Sequence, residues 1–215
     1  MQPQLVVAEI SKQYGSFLAL APVSFGLNAG EIALLSGPNG SGKTTLLSCL
    51  SGLIRPSTGS VSVAGYDSYH AEVEFRRRLA FVPDVPRFYV ELTAWEHLRF
   101  IAMAHNVIRD FDARAENILR KLDLWEARDL FPHHYSRGMR LKLGLALALI
   151  RPFDVLLLDE PTSALDQQGI QYLLEELHRA SNQGASILVS THDPALFGDV
   201  ESRRLLIRQG VFEAL

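Results

Sequence analysis

Gly37-Pro38-Asn39-Gly40-Ser41-Gly42-Lys43-Thr44 fits the pattern G-x-x-x-x-G-K-[ST] at every fixed position. Its flanks give the match its meaning. Ile32-Ala33-Leu34-Leu35 reads as a buried strand ending at Ser36, and Thr44 to Leu53 reads as a helix with Leu46, Leu47, Leu50 and Leu53 on its inner side. A strand, a glycine loop and a helix in that order turn backbone amides inward around a triphosphate and set the positive end of the helix dipole against it. In such a loop Lys43 reaches the β- and γ-phosphates and the Thr44 hydroxyl holds Mg²⁺, with Thr45 next in line.

Working outward, 215 residues suffice for a large single domain or a domain with an inserted subdomain. The chain is 47% apolar and 21% charged with a net charge of −3, a balance that gives no support to a nucleic-acid binder. Arg76-Arg77-Arg78 is the one dense basic run and reads as a solvated helix face. Cys49 is the single cysteine, which excludes an internal disulfide, suits a reducing compartment and is expected as a small buried hydrophobe. No apolar run approaches the ~18–20 residues that span a bilayer, so a membrane role needs another polypeptide.

On the amino-terminal side, Gln4 to Ile10 and Val23 to Leu27 read as strands, with turns at Lys12-Gln13-Tyr14-Gly15 and, in hairpin style, at Asn28-Ala29-Gly30-Glu31. Ser60 to Gly65 adds a third strand, so a small antiparallel sheet is expected beside the loop. Leu79-Ala80-Phe81-Val82 is a short strand stopped by Pro83. From Thr93 to about Ile150 apolar residues recur at helical spacing, and Thr93-Ala94-Trp95-Glu96 has the form of a capping box. Strands return at Asp154 to Leu158, Ser186 to Ser190 and Leu205 to Ile207, with an amphipathic helix over Gln168 to Asn182. The expectation is an α/β phosphate-loop NTPase core with a mostly parallel sheet, an antiparallel β subdomain and an inserted helical subdomain. Residues 1–84 and 151–215 would form the core and residues 85–150 the insertion.

In such sheets ligands sit at the carboxyl ends of strands, where several chemical groups follow apolar runs. Leu156-Leu157-Leu158-Asp159-Glu160 places two carboxylates there: Asp159 for the Mg²⁺ shell opposite Thr44, and Glu160 to orient and deprotonate water. Ile187-Leu188-Val189-Ser190-Thr191-His192 ends in an imidazole that can face the γ-phosphate.

Taken together, the phosphate loop, the helical stretch, Asp159-Glu160, Ser163-Ala164-Leu165-Asp166 and His192 resemble the nucleotide-binding domain of ATP-binding cassette (ABC) transporters, over essentially the whole chain. The resemblance implies that Tyr14 stacks on adenine, that Phe81-Val82-Pro83-Asp84 links core to insertion, that Ser163 to Asp166 crosses a dimer interface, and that Glu160 and His192 are the catalytic carboxylate and the switch histidine. Tyr135-Ser136-Arg137-Gly138-Met139 stands where Leu-Ser-Gly-Gly-Gln is commonest. Ser136 and Gly138 survive and would meet the γ-phosphate of ATP held by another copy, whereas Arg137 and Met139 replace a glycine and the glutamine. Asp84 replaces a usual glutamine, and a carboxylate there would favour Mg²⁺.

Both departures resemble the exporter subgroup whose permease is a separate chain of about six spans. The implied protein is an ATPase on the cytoplasmic face of the cell membrane, paired as a homodimer or heterodimer, with ATP sandwiched head to tail and the permease seated near Phe88, Tyr89 and Leu92. The alternative is a soluble, non-transport ATPase of the same family, such as an iron–sulfur assembly factor. Members in DNA repair carry coiled-coil insertions and members in translation carry two cassettes; this sequence has one cassette and no heptad run.

Overall fold

The structure, a computed structural model, describes residues 3–198, 200 and 202–214. Its residues fall into two compact units. One contains the chain through Phe81, Phe153–Glu160 and the residues from Glu176 on; the other contains Val82–Pro152 and Pro161–Glu175.

The first unit opens with β1 (Leu5–Tyr14) and β2 (Phe17–Leu27), an antiparallel pair joined by a tight turn at Gly15, followed by β3 (Ile32–Ser36) and α1 (Lys43–Leu50). Next come β4 (Thr58–Val63), β5 (Tyr66–Asp67), α2 (Glu72–Arg78) and β6 (Leu79–Val82). Strands β2-β1-β4-β5 form a four-stranded antiparallel sheet. β1 runs four residues beyond Ile10, so Lys12 to Tyr14 are strand rather than turn. Asn28 to Glu31 does form a turn, the Glu31 amide donating to the Asn28 carbonyl at 3.0 Å, but it is not a hairpin. The strands on either side of it lie in different sheets. The inner-side assignment of Leu53 is also corrected: α1 ends at Leu50, the chain turns at Gly52, and Leu53 is 65% exposed.

The second unit holds three packed helices, α3 (Ala94–Ala104), α4 (Phe111–Lys121) and α5 (Arg137–Leu149). Thr93 closes the expected capping box, its hydroxyl accepting from Glu96 N at 3.2 Å while the Glu96 carboxylate accepts from Thr93 N at 2.8 Å. α5 carries buried Leu141, Leu143, Leu145 and Ala148, and Gly144 brings it against the 82–86 segment: a Cβ there would lie 2.9 Å from Pro86 Cγ.

β7 (Val155–Asp159) returns the chain to the first unit. α6 (Gln167–Asn182) begins among residues of the second unit and ends among those of the first. β8 (Ser186–Ser190), β9 (Arg203–Arg208) and β10 (Val211–Ala214) complete a six-stranded sheet of order β10-β9-β3-β8-β7-β6. β3 pairs in parallel with β8 and β9, and β8 with β7. Every residue of β7 and β8, and the first four of β3, are buried, as both-face coverage of a central parallel sheet requires. Each fully buried leucine in these strands contributes about 2 kcal/mol. Cys49 lies in this core, and burial pushes its thiol up to about 11. Arg76 and Arg77 pair with Glu72 and Glu74 on the surface of α2, and Arg78 pairs with Asp154.

Candidate functional site

Registry places the chemistry. Leu35 of β3 and Asp159 of β7 both pair with Ser190 of β8, so three neighbouring strands end at one level. The phosphate loop, Glu160 and His192 leave from those three ends.

The loop is shaped by its surroundings. Gly37 is obligatory, because a Cβ there would lie 2.2 Å from the backbone oxygen of Ile207. Gly42, the residue before α1, has φ 107° in the left-handed region, and a Cβ would sit 3.1 Å from Ala19 O. Gly210 N donates to Ser41 O at 2.8 Å, so the β9–β10 turn backs the loop. Pro38, Asn39 and Gly40 line the open side of the loop, Thr44 is exposed, and Thr45 is half-buried. Ser41 is buried, and its Oγ has no hydrogen-bond partner among the described residues. Lys43 is 6% exposed and donates through Nζ to Gly37 O at 2.8 Å and Pro38 O at 3.4 Å. A cradle with no room for side chains at Gly37 and Gly42, a buried hydroxyl awaiting an acceptor or donor, and a buried ammonium together fit a polyphosphate.

Asp159 is 1% exposed, and Ser190 Oγ donates to its Oδ1 at 2.5 Å. Glu160 has φ 48°, unusual for a residue with a side chain. Its amide is held by Ser190 O at 3.1 Å and Ser190 Oγ at 3.0 Å. The Glu160 carboxylate is gripped from both sides: Oε1 lies 3.5 Å from Lys43 Nζ, and Oε2 lies 2.7 Å from His192 Nδ1 and accepts from His192 N at 3.2 Å. Phosphate-loop lysine, acidic residue and histidine therefore form one chain of contacts. Thr44 and Asp159 are hard oxygen donors of the kind Mg²⁺ takes. Tyr14, at the end of β1, is 50% exposed with Lys12 Nζ 5.0 Å from its ring centroid, so the ring is available for stacking.

The second unit carries the remaining sequence-predicted residues. Ser136 caps α5, its Oγ accepting from Met139 N at 3.2 Å. Gly138 follows in the first turn, and a Cβ on it would lie 2.6 Å from Ala164 O, so α5 begins directly against the 163–166 segment. Asp166 accepts from Gly169 N through Oδ1 and from the buried Lys142 through Oδ2, both at 2.8 Å. The Lys142 ammonium, with the Gly169 amide, holds the Asp166 carboxyl below the usual range. Asp84 Oδ1 accepts from Arg137 Nη2 at 2.8 Å and from the Ser163 hydroxyl at 3.0 Å, so that oxygen is already engaged by a guanidinium.

Residues 20–163 match the model of the ABC transporter family. The chain belongs to that family. It is 35% identical over 95% of its length to the SkfA peptide export ATP-binding protein SkfE of Bacillus subtilis (strain 168), covering 85% of that protein. It is 30% identical over 99% of its length to the methionine import ATP-binding protein MetN of Chlamydia pneumoniae, covering 65% of it. A solved structure of an ATP-binding subunit of an ABC transporter superposes with a TM-score of 0.91 at 32% identity, over 99% of this chain and 90% of the other.

As an ATP-binding subunit of an ABC transporter, the protein is an ATPase coupled to transport. Such subunits dimerise and work with membrane permease components, and no helix among the described residues is long and apolar enough to cross a membrane. Three residues important to this ABC ATPase do not stand out in the sequence. Ser190 bridges Asp159 and Glu160; the signal was a hydroxyl at the end of an otherwise apolar strand. Lys142 pairs with Asp166 from a buried position in the first turns of α5, where nothing in the pattern sets it apart from a surface lysine. His97 is buried and joins Thr93 O at 2.7 Å to Tyr89 N at 3.0 Å, fixing the loop before α3.

Proposed function

We propose that this subunit drives export through a separately encoded membrane permease, with two copies, or one copy and a related cassette, enclosing ATP head to tail. The observation that carries the reading is the double grip on Glu160, between Lys43 and His192 at the ends of three adjacent strands. A carboxylate aimed by a lysine that binds phosphate is placed to take a proton from water attacking the γ-phosphoryl group. His192 orients that carboxylate and reports on its occupancy.

Lys43 and the loop amides bind the phosphates, and Tyr14 stacks on adenine. Ser136 and the Gly138 amide, at the positive end of α5, complete the site of the opposite copy, whose approach the 163–166 segment accompanies. Mg²⁺, held by Thr44 and Asp159, would neutralise charge developing between the β- and γ-phosphates. Export rather than import is supported by the 35% identity to a peptide-export subunit and by the sequence at Asp84 and Arg137. Tyr89 and Phe100, exposed and in edge-to-face contact at 5.7 Å, offer the permease an apolar seat on the cytoplasmic face of the cell membrane.

The test is co-purification from detergent-solubilised membranes in the presence of ATP, with wild type and Glu160→Gln. A polytopic protein in near-equal amount is expected with both, and ATP turnover in the variant falls about 100-fold or more. Recovery of soluble partners only would transfer the chain to a non-transport role.

A further inference from the structure

Two of the positions at which the sequence departs from the commonest family pattern meet in the structure. Asp84 lies in the loop after β6 and Arg137 is the first residue of α5. Arg137 Nη2 donates to Asp84 Oδ1 at 2.8 Å, the Ser163 hydroxyl donates to the same oxygen at 3.0 Å, and Arg137 Nη2 also donates to Ser163 Oγ at 3.3 Å. The roles are mutually consistent, since the serine hydroxyl gives one hydrogen bond and accepts another. All three residues belong to the second unit, and Arg137 and Ser163 reach Asp84 from positions 53 and 79 residues further along the chain.

Electrostatics explain why the departures occur together. A cation in the first turn of a helix opposes the helix dipole. Arg137 stands at that place in α5 and needs an anion; Asp84 is that anion, where the glutamine amide would offer an acceptor without charge. A second contact ties the same elements independently. The backbone of α5 at Gly138 approaches Ala164 so closely that a Cβ would lie 2.6 Å from its oxygen. The start of α5 is thus fixed to the 163–166 segment both by backbone packing and by a charged hydrogen-bond ring.

We infer that Asp84 is a positioning residue rather than a Mg²⁺ ligand: through Arg137 and Ser163 it locks the start of α5, with Ser136 and Gly138, to the 163–166 segment and to the loop after β6. The inference deepens the function proposed above and rests on it for the role of Ser136 and Gly138. It assigns Arg137 a use that neither a glycine nor a lone surface arginine would have. A loop placed to meet the permease and a helix start placed to meet nucleotide then respond to one another through a single carboxylate.

Amide hydrogen exchange on the full chain without nucleotide tests the tie. Asp84→Asn and Arg137→Gln each speed exchange at residues 136–140 and 163–166 by about two- to fivefold, as loss of one half-exposed ion pair allows. The double variant exchanges no faster than either single variant, and the reciprocal exchange D84R/R137D, which also places an anion at the helix start, restores protection. In parallel, binding of the fluorescent analogue TNP-ATP is titrated with Mg²⁺, and the half-saturating concentration moves less than about twofold in Asp84→Asn. Unchanged exchange in both single variants overturns the tie. So does an Mg²⁺ requirement raised more than about tenfold by Asp84→Asn alone with Arg137→Gln silent. Because exchange is read without nucleotide, the tie stands or falls whether or not Ser136 and Gly138 meet ATP held by an opposite copy.

Discussion

Glu160 shows how a single residue is prepared for chemistry. A left-handed backbone is costly for a residue with a Cβ, and it persists here because two bonds from Ser190 and two partners for the carboxylate hold it. Asp166 shows a different balance. Its carboxyl is held below the usual range by Lys142 first and by the Gly169 amide second, so its contribution to folding is fully present above the unfolded value near ~3.9 and is lost as pH falls through the lowered folded value. Asp166→Asn is therefore expected to lower stability by no more than about 1 kcal/mol near neutrality, since the carboxylate is half exposed and screened. The wild-type and variant curves should converge below that pH in urea unfolding followed across the acid range; a constant gap would show that the Lys142 pair is not what the carboxylate supplies. The carboxylates of the site were legible in the sequence because acidic residues after an apolar run are conspicuous. The φ of Glu160 and the burial of Lys142 were not, because both are set by contacts 24 or more residues away in the chain.

At the scale of elements, α5 is fixed by what it lacks as much as by what it buries. Gly144 lets the helix meet Pro86 and Val82, with only 2.9 Å and 3.3 Å available to an added Cβ. Gly144→Ala gains about 1 kcal/mol of helix propensity, but its Cβ would press on the Pro86 ring at a cost of about 1–3 kcal/mol, so the net effect is a loss of up to about 2 kcal/mol. Gly144→Leu gains nearly as much propensity but forces a larger side chain into the same gap, so it should cost more, about 1–3 kcal/mol net, read as a lowered midpoint in chemical unfolding. A leucine accommodated at no cost would mean that the 82–86 segment does not pack on α5. The strands of the parallel sheet were legible because burial on both faces leaves an unbroken apolar run, as in β3, β7 and β8. The elements misread were those whose form depends on distant partners. β1 continues through Lys12 to Tyr14 because β2 is there to pair with it, and the turn at Asn28 to Glu31 has local hairpin chemistry although its flanking strands part into two sheets. β10, short and at the sheet edge beside β9, left no pattern at all.

For the whole molecule, the decisive question is whether one chain can complete a hydrolytic site. Lys43, Glu160 and His192 meet in one chain of contacts, while Ser136 and Gly138 begin a helix in the second unit; the proposed head-to-tail pairing would assign the two sets to opposite copies of each site. Mixing distinguishes this from a site built within one chain. Lys43→Met removes phosphate binding and Ser136→Ala removes the helix-cap hydroxyl, so each variant alone has two defective sites per dimer. A heterodimer of the two has one site lacking both groups and one site with Lys43 and Ser136 intact. Random re-pairing makes about half of all dimers heterodimers, so an equimolar mixture should recover roughly a quarter of wild-type ATP turnover when the sites act independently. Mixtures titrated at fixed total protein should peak at equal proportions. Turnover that never exceeds the weighted sum of the separate variants would mean that each chain hydrolyses ATP with its own Ser136, and the head-to-tail arrangement would have to be abandoned.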